Sequence, residues 1–510
     1  MQPPPWRYDT EYMTRLTIKE ALLSVLSGVL TALAMPGFGV APLIFVSFVP
    51  LFWVLRERGG FAPGFLFGVA FFALDLRWIV TLARFHPIVI GGYLLLAVYL
   101  AAGIGLLGFL LSWRRQSDAL TWVLLAPALF VLAEFLRTLG PLGMGFSTAY
   151  SALYRVPWMI QSAAWFGPWF ISGLAVAVNG SFLLVMKKRR VGFAVAAASL
   201  FVLMGAGWMP RGVAPSQELS VAVVSSKVRQ EVKLDARNLP DLTTRYFELA
   251  DRAIAGMPDL VVFPESILPT YILQNPELMR AFADLARRGS SDVLIGTGLY
   301  EDREIRNVVA WIDETGGVAG TYAMVRPVPF GEYIPGRGLL ERLGLGAWAR
   351  SLLPVDLTRG EAYVTLGHIG TPICFESTFP LASRQLTRAG AGLLVTVTND
   401  AWFAESSELK AHFASTVFRA VENRRWVLQS ANGGISGIIA PDGAVIEMLN
   451  AEGVVTGDVA LMVGRSLYTR WGDGFVLVLS GVAVFAVCGY RIRRARNAKR
   501  RGRIRGPAPS

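Results

Sequence analysis

Two short motifs in this chain carry a thiol and a carboxylate that could act together. Cys374 lies within the heptapeptide TPICFES (371–377), and Glu265 closes the apolar run VVFPE within VVFPES (261–266). A cysteine reacts as a nucleophile in its thiolate form, so it needs a nearby base or cation. A glutamate in a partly dry pocket has the raised pKa that suits a general base. The two motifs therefore predict a thiol nucleophile served by a carboxylate base.

The composition places much of the chain in lipid. Hydrophobic residues make up 53% of the 510 residues and charged residues 17%, and the mean hydropathy is +0.46. These values lie outside the usual range of a soluble domain. The two cysteines, Cys374 and Cys488, are too few for a disulfide framework, and the three histidines form no paired metal-ligand spacing. We expect no metal and no cofactor.

Apolar runs of roughly the 20 residues that a bilayer requires divide the chain into four parts. Seven such runs lie before residue 212, and another lies near 474–490. We predict a transmembrane bundle over 1–212, a polar domain over 216–470, a C-terminal transmembrane helix over 474–491 and a basic cytoplasmic tail over 492–510. The seven runs lie near 20–35, 40–55, 62–82, 88–112, 118–136, 165–186 and 192–208.

Basic residues predict the orientation, because short loops that stay in the cytoplasm carry the positive charge. The net charge of +12 is concentrated in the 491–505 segment and in alternate short loops, so it indicates topology before nucleic-acid binding. With about eight crossings both termini are expected in the cytoplasm and the polar domain outside it. We interpret the first run as a retained helix rather than a cleaved signal. The basic loop residues are Arg7, Arg15, Lys19, Arg56, Arg58, Arg114, Arg115, Lys187, Lys188, Arg189 and Arg190.

The polar domain alternates buried strands with amphipathic helices, which predicts an α/β sandwich. Ligands in such sheets bind at the carboxyl ends of strands, where Glu265 and Cys374 fall. The predicted helices are Leu242–Ile254, Leu278–Arg287 and Leu409–Trp426. The predicted strands are Leu219–Val224, Leu260–Phe263, Val293–Thr297, Val308–Ile312, Gly392–Thr398 and Gly434–Ala440, the last followed by a turn at Pro441-Asp442-Gly443.

Four motifs in order resemble those of the apolipoprotein N-acyltransferases: VVFPES at Glu265, VPFGEYIP at Glu332, ICFE at Cys374 and TNDAWF at 398–403. The resemblance covers nearly the whole chain. It implies an extracytoplasmic nitrilase-like αββα domain set on about eight transmembrane helices in a bacterial inner membrane. Further matches are Glu134, Arg137, Arg419, Glu422, Gly434-Ile435-Ser436 and the segment YTRWGD (468–473).

The resemblance also implies a reaction in two steps. Cys374 takes a fatty acyl chain from a phospholipid as a thioester and passes it to the α-amino group of the diacylglyceryl-cysteine of an apolipoprotein. Glu265 matches the general base, and Glu332 and Glu376 match supporting acidic positions. The expected partners are the phospholipid donor, the diacylated apolipoprotein and the membrane, with no nucleic acid.

One position departs from the family pattern: the family's lysine, eight residues before Glu332, is Met324 in this chain. A thioether carries no charge and donates no hydrogen bond, and loss of one oxyanion donor costs about 3–4 kcal/mol of transition-state stabilisation. Arg326, two residues further along the same strand face, is the first candidate substitute. Lys410 is the second candidate substitute for the lysine, and Lys233 is the third. Two further positions also differ from the family, with Phe375 in place of a tyrosine and Leu234 in place of a tryptophan.

Two other functions remain open. A membrane-anchored hydrolase of the nitrilase type would give the acyl group to water. A catalytically impaired paralogue would bind lipoprotein or phospholipid without turnover, and Met324 is the residue in its favour. Use of a lipid-modified N-terminal cysteine as acceptor separates the transferase from the hydrolase.

Overall fold

The computed structural model describes residues 16–112, 119–186, 190–205 and 212–504. Its N-terminal part is a bundle of apolar helices whose aromatic and aliphatic side chains form a buried core. The helices of this part are α1 (Ile18–Ala34), α2 (Val49–Glu57), α3 (Phe61–Asp75), α4 (Val89–Ser112), α5 (Ala126–Leu136), α6 (Ala163–Phe166), α7 (Pro168–Val185) and α8 (Arg190–Gly205).

Four helical segments of the described chain are long and apolar enough to cross a membrane. They are Phe61–Arg84, Val89–Ser112, Pro168–Val185 and Gly474–Arg494. Two apolar segments, Thr121–Leu136 and Arg190–Gly205, are shorter. The structure thus fits a membrane-embedded N-terminal region, while the number of eight crossings stays a prediction.

Prolines explain where the helices differ from the apolar runs. The run 40–55 contains a 3₁₀ turn at Ala41–Phe45 and then the nine-residue α2, which has Pro50 in its first turn. Proline lacks an N–H and is tolerated in the first turn of a helix, where that donor is unpaired in any case. Likewise α5 starts beside Pro127, after a π-helical turn at Thr121–Leu125.

The orientation prediction depends largely on residues outside the described ranges. Among the basic loop residues, Arg7, Arg15, Arg114, Arg115, Lys187, Lys188 and Arg189 lie there. The orientation therefore stays a prediction. At the other end of the chain, the last helix continues to Ile504 instead of ending near 490, so the predicted tail begins as helix.

After residue 212 the described chain forms eleven strands and nine α-helices, eight of them in the polar domain and the last in the bundle. The strands are β1 (Val213–Ser225), β2 (Leu260–Val262), β3 (Asp292–Glu301), β4 (Glu304–Ile312), β5 (Val318–Ala323), β6 (Ile369–Gly370), β7 (Leu393–Asn399), β8 (Trp426–Asn432), β9 (Ser436–Ile439), β10 (Val445–Leu449) and β11 (Gly453–Gly464). The helices, the last of them leading back into the bundle, are α9 (Gln230–Lys233), α10 (Leu239–Ile254), α11 (Pro276–Gly289), α12 (Arg337–Arg342), α13 (Gly346–Leu352), α14 (Pro380–Ala389), α15 (Glu408–Asn423), α16 (Leu467–Trp471) and α17 (Gly474–Ile504).

The strands form two sheets that pack face to face between helices. One sheet has the order β11-β1-β2-β3-β4-β5 and the other β10-β9-β8-β7-β6. Helices α10 and α11 cover the outer face of the first sheet, and α14 and α15 pack on the second. This arrangement confirms the predicted αββα sandwich.

Parallel strands bring the two predicted site residues to neighbouring strand ends. β1, β2 and β3 run parallel in the first sheet, and β6, β7 and β8 run parallel in the second. Glu265 follows the end of β2, and Cys374 follows β6 through Ile373, which bridges to β7. Both side chains therefore lie at carboxyl ends of strands, as predicted.

The helix predicted over Leu409–Trp426 is shorter than expected. It ends at Asn423, because Arg424 has a left-handed backbone with φ of 52°, and Trp426 already begins β8. Apolar spacing alone does not reveal this boundary, since the residues on both sides of it are buried.

Aromatic side chains join the sandwich to the helical bundle. The ring of Phe146, in the segment after α5, lies 5.2 Å from Trp78 and 6.3 Å from Phe375. Phe403 contacts Trp78 and Trp402 contacts Phe85 across the same boundary. The carboxyl ends of the strands thus face the membrane part of the molecule.

Candidate active site

Cys374 occupies a strained turn immediately after the short strand β6. Its backbone has a φ of +47°, a left-handed conformation that costs a non-glycine residue roughly 1–2 kcal/mol. The carbonyl oxygen of Cys374 accepts hydrogen bonds from Ser377 Oγ at 2.8 Å and from His412 Nε2 at 3.0 Å. These bonds hold the turn, and strain of this kind is typical of functional sites.

Glu265 is held at both carboxylate oxygens. Oε1 accepts from Asn307 Nδ2 at 2.6 Å, and Oε2 accepts from the backbone N–H of Asn399 at 2.7 Å. Burial raises the pKa of Glu265, while hydrogen bonds from Asn307 and the Cys374 thiol and the charge of Lys233 act in the opposite direction. A carboxyl with a raised pKa beside a thiol is the arrangement required of a general base.

The Cys374 thiol is neutral at rest. Burial, followed by the negative charges of Glu265 and Asp400, raises its pKa well above the ordinary value. Thr398 Oγ1 lies 3.3 Å from Sγ and acts in the other direction as a hydrogen-bond donor. The thiol must therefore give up its proton during the reaction, and Glu265 is the carboxylate that faces it.

Glu332 shares a hydrogen-bond donor with Glu265. Asn307 Nδ2 lies 3.2 Å from Glu332 Oε1, and the other oxygen accepts from the N–H of Val328 at 2.7 Å. Burial and the charge of Glu265 raise the pKa of Glu332 to about 7. The two carboxyl groups do not both carry a full charge at neutral pH, since like charges this close disfavour each other.

Glu376 connects the nucleophile turn to the segment after β5. Its carboxylate accepts from the N–H groups of Val325 at 2.6 Å, Arg326 at 2.9 Å and Ile373 at 3.0 Å, and from Tyr322 Oη at 3.0 Å. Burial raises the pKa of Glu376 to about 7, although these hydrogen bonds act to lower it. Glu376 thus fixes the backbone on both sides of the pocket.

Met324 does occupy the wall of the site. It is buried, and its sulfur lies 3.8 Å from Nδ2 of Asn307, the same amide that binds Glu265 and Glu332. The position that carries a lysine in the resembling family therefore faces the two glutamates, and here it supplies an uncharged thioether.

Of the three candidate substitutes, the structure brings Lys233 to the site. Its ammonium is buried, and Nζ donates to the backbone carbonyl of Glu265 at 3.4 Å. Burial lowers the pKa of Lys233 to about 8, while the charge of Glu265 raises it. The residue ranked last from the sequence is therefore the one beside the base.

Arg326 and Lys410 point elsewhere. The guanidinium of Arg326 donates to the carbonyls of Thr138 at 2.5 Å and Gly140 at 3.4 Å and lies 3.7 Å from the ring centroid of Phe379. It is engaged with the bundle, so its position does not support the predicted role as a cation for the nucleophile. Lys410 is exposed on α15.

Sequence reasoning missed Asn307, which lies at the centre of the carboxylate network. It precedes the predicted strand Val308–Ile312 by one residue, and β4 extends back to include it. Its backbone carbonyl accepts from the N–H of Met324 at 2.9 Å. A polar amide within an otherwise apolar strand was the available signal.

A second missed group lies directly behind the nucleophile. Asp400, Glu408 and His412 are all buried, and their potential ligand atoms lie within 4.8 Å of one another, close enough to share protons or an ion. The spacing of cysteine and histidine pairs alone does not reveal this cluster. An acidic residue four positions before a histidine on a helix would have indicated this cluster.

Comparisons with known proteins identify two family regions in the chain. The chain matches the family models "Apolipoprotein N-acyltransferase N-terminal domain" over residues 27–181 and "Carbon-nitrogen hydrolase" over residues 221–468. Among solved structures, Saccharomyces cerevisiae Nit3, a member of branch 10 of the nitrilase superfamily, is 19% identical with a TM-score of 0.36 and covers 48% of this chain and 91% of its own.

Full-length relatives carry the assignment. An apolipoprotein N-acyltransferase of Geobacter metallireducens is 32% identical over 93% of this chain and 96% of its own length. One of Gloeobacter violaceus is 29% identical over 95% of this chain and 97% of its own. The chain therefore belongs to the apolipoprotein N-acyltransferase family of acyltransferases.

Proposed function

We propose that this protein transfers a fatty acyl chain from a membrane phospholipid, through a thioester on Cys374, to the α-amino group of the diacylglyceryl-cysteine of apolipoproteins. The observation that carries the proposal is the contact between the neutral thiol of Cys374 and the doubly held carboxylate of Glu265. This pair lies on the side of the sandwich that faces the apolar bundle, where both lipid substrates would reside.

The first step loads the cysteine. Glu265 takes the thiol proton, and sulfur attacks the ester carbonyl carbon of the phospholipid. The new C–S bond replaces the C–O ester bond, and Glu265 returns the proton to the departing glycerol oxygen. Glu332, with a pKa raised to about 7, can stay neutral beside Glu265 while this proton moves.

The second step empties the cysteine. The α-amino nitrogen of the lipoprotein attacks the thioester carbonyl, a C–N bond forms and the C–S bond breaks. Glu265 takes the amine proton and returns it to the sulfur. In this scheme Lys233 stabilises the ionised form of Glu265, because an opposite charge nearby favours ionisation.

Exposed apolar side chains near the pocket support a lipid substrate. Leu339, Leu343 and Trp348, on and between α12 and α13, are 61%, 64% and 46% exposed. This segment is tied to the site, since the N–H of Leu357 donates to the carbonyl of Glu332 at 2.7 Å. Exposed apolar groups clustered beside a reactive site suit acyl chains or a bilayer surface.

The proposal includes a location. We place the chain in a bacterial inner membrane with several crossings and the sandwich on the extracytoplasmic side. The support is the alternation of basic loops along the sequence and the four helical segments long enough to span a bilayer.

The first experiment measures the acyl intermediate. Intact mass of the detergent-purified chain mixed with phospholipid should show a hydroxylamine-labile acyl adduct, which is absent from Cys374→Ala. A native adduct that then transfers to a diacylated lipopeptide supports the transferase. Release of free fatty acid without transfer would indicate the hydrolase.

The variant Met324→Lys decides the second alternative. If only Met324→Lys forms the adduct, the natural protein is a catalytically impaired paralogue, and binding of lipoprotein or phospholipid becomes its function. The single observation in favour of that alternative is the thioether of Met324, which lies where it contacts Asn307.

A further inference from the structure

The buried ring of His412 is enclosed by hydrogen-bond acceptors on both sides. Nδ1 lies 2.9 Å from Asp400 Oδ1 and 3.5 Å from Glu408 Oε1. Nε2 lies 3.0 Å from the carbonyl oxygen of Cys374 and 2.8 Å from Ser377 Oγ. The ring is 1% exposed, so water does not complete this pattern.

The partners determine where the protons are. A carbonyl oxygen only accepts, so Nε2 carries a hydrogen. Ser377 Oγ gives its own hydrogen to the Cys374 carbonyl and accepts from the ring. Asp400 Oδ1 accepts from Thr398 Oγ1 and lies 2.9 Å from Nδ1, so it acts as an acceptor toward the ring as well, and Nδ1 carries a second hydrogen. A histidine that donates from both nitrogens is an imidazolium cation.

Thr398 links this ion pair to the sulfur. Its hydroxyl has one hydrogen and two acceptors within reach, Asp400 Oδ1 at 2.6 Å and Cys374 Sγ at 3.3 Å. When His412 Nδ1 donates to Asp400 Oδ1, the Thr398 hydroxyl is free to turn toward a thiolate at Cys374. If the ring were neutral, Asp400 would compete for that hydrogen.

We infer that His412 is a positioning residue held as an imidazolium behind Cys374. Its charge offsets that of Asp400 and leaves the Thr398 hydroxyl to stabilise the thiolate, in place of the lysine absent at position 324. The inference rests on the proposed function, which makes Cys374 the nucleophile. It assigns part of the missing positive charge to a group that touches the backbone of the nucleophile and not the substrate.

The electrostatics of the cluster agree with the hydrogen-bond count. Burial alone would lower the pKa of His412, but the charge and hydrogen bond of Asp400, with smaller contributions from Glu408 and the Cys374 carbonyl, raise it to about 9. Burial raises the pKa of Glu408 well above its usual value, and Asp400 is the carboxyl closer to Nδ1, at 2.9 Å against 3.5 Å for Glu408. The ring also has two uncharged neighbours: Thr398 Oγ1 lies 3.4 Å from Nδ1, and the centroid of the Phe146 ring lies 6.2 Å from that of His412.

The test measures the acidity of the thiol directly, without acyl transfer. In a full-length Cys488→Ser chain in detergent micelles, the alkylation rate of Cys374 by iodoacetamide is recorded against pH, because only the thiolate reacts. His412→Gln should move the midpoint of this profile upward by about one pH unit, which is about tenfold less thiolate at a fixed pH. Ser415→Ala, a buried change one turn further along the same helix, is the matched control and should leave the midpoint in place.

Rescue separates charge from structure. Met324→Lys added to His412→Gln should return the midpoint to the parent value, because the lysine restores a cation by another route. A purely structural role for His412 would give a variant that the lysine does not repair, and that result would overturn the inference. If His412→Gln does not fold, Thr398→Val removes the hydroxyl that donates to Cys374 Sγ and should raise the midpoint. An unchanged midpoint in Thr398→Val would also contradict the inference.

Three further outcomes are decisive. A folded His412→Gln chain with the parental profile would overturn the role of the ring. One equivalent of tightly bound metal in the purified protein, with a profile that shifts on chelation, would show that the cluster holds an ion and not a proton. A shifted midpoint in a chain that forms no acyl adduct would leave this inference standing while the proposed function fails.

Discussion

Single charges around Glu265 determine how readily it can act as a base. Lys233 reaches the carbonyl of this residue from α9, and the charge of its ammonium lowers the pKa of Glu265. Asn307 holds both carboxyl groups with one amide nitrogen. The carboxyl groups of Glu265 and Glu332 therefore lie close together beside the positive charge of Lys233. Removing the ammonium or one of the carboxyl groups should have a predictable effect.

Replacing Lys233 with methionine should slow formation of the acyl adduct about tenfold at neutral pH, as expected for a loss of about one pKa unit of charge stabilisation. Without the ammonium, the pKa of Glu265 rises further, so the acid limb of the pH–rate profile moves to higher pH. The measurement is the adduct rate against pH by intact mass. Lys410→Met, an exposed change, is the control and should match the parent. An unshifted acid limb in Lys233→Met would exclude this role.

The contribution of Glu332 to the free energy of unfolding should decrease as the pH rises. Its pKa is raised from 4.5 to about 7 in the folded state, so the folded protein binds more protons than the unfolded chain between these values. The stabilisation is complete below about pH 4.5 and is lost as the pH rises through 7, amounting to about 3 kcal/mol.

The check is a pair of thermal unfolding series at pH 5 and pH 8. The parent should lose more of its melting temperature between the two pH values than Glu332→Gln, which has no proton to lose at this position. Equal losses in both chains would mean that Glu332 is ionised throughout. The neighbouring surface change Glu341→Gln serves as the control for general charge effects.

At the scale of elements, strand ends and close backbone contacts place the site. The sequence predicted that Glu265 and Cys374 fall at the carboxyl ends of strands, because apolar runs of four to six residues mark buried strands well. It did not predict Asn307, and it ranked Lys233 last among the candidate cations. Asn307 enters the site through the antiparallel pairing of β4 with β5, and Lys233 through the short helix α9. Both depend on contacts between segments distant in sequence, which local patterns do not encode.

Position 296 on β3 should tolerate no side chain. A Cβ there would lie 2.5 Å from Glu265 Cα and 2.5 Å from the carbonyl oxygen of Pro264, both backbone atoms that cannot yield easily. Gly296→Ala should push the Glu265 turn out of register and reduce the adduct rate by about a hundredfold, since an ångström of misplacement has effects of this size.

Gly298→Ala is the matched control for this prediction, two residues along the same strand. Its Cβ would meet only the ring of Tyr271 at 3.1 Å, and that side chain is partly exposed and can move. We expect near-parental adduct rates for Gly298→Ala. Equal rates for the two variants would mean that β3 does not hold the base in place.

Across the whole molecule, the bundle and the sandwich are joined by polar as well as aromatic contacts. Arg326 donates to the carbonyl of Thr138, Arg84 Nη2 donates to the carbonyl of Ala401 at 2.8 Å, and Gln161 Nε2 donates to the carbonyl of Asp442 at 2.7 Å. Arginine contacts to carbonyls fix orientation without requiring a partner charge. The helical bundle thus fixes the side of the sandwich that carries Cys374 and Glu265 toward the apolar helices, which is the geometry that the proposed function requires.

The proposed topology predicts on which side each loop lies. Between Glu57, at the end of α2, and Glu314, in the turn between β4 and β5, the proposal counts five crossings, by α3, α4, α5, α7 and α8. An odd number puts the two residues on opposite sides of the membrane. Between Glu57 and Met186, at the end of α7, it counts four crossings, so these two lie on the same side. The shorter apolar segments that contain α5 and α8 are tested separately, because Met186 lies between them.

Single cysteines at these positions, in a chain with Cys374→Ala and Cys488→Ser, would be labelled with a membrane-impermeant maleimide in intact spheroplasts. Glu314→Cys should react from outside, while Glu57→Cys and Met186→Cys should react only after permeabilisation. All three side chains are exposed in the structure, so burial would not mask a result. Labelling of Met186→Cys from outside would mean that α5 does not cross. Labelling of Glu314→Cys only after permeabilisation would place the sandwich in the cytoplasm, on the opposite side from the one that the basic loops predict.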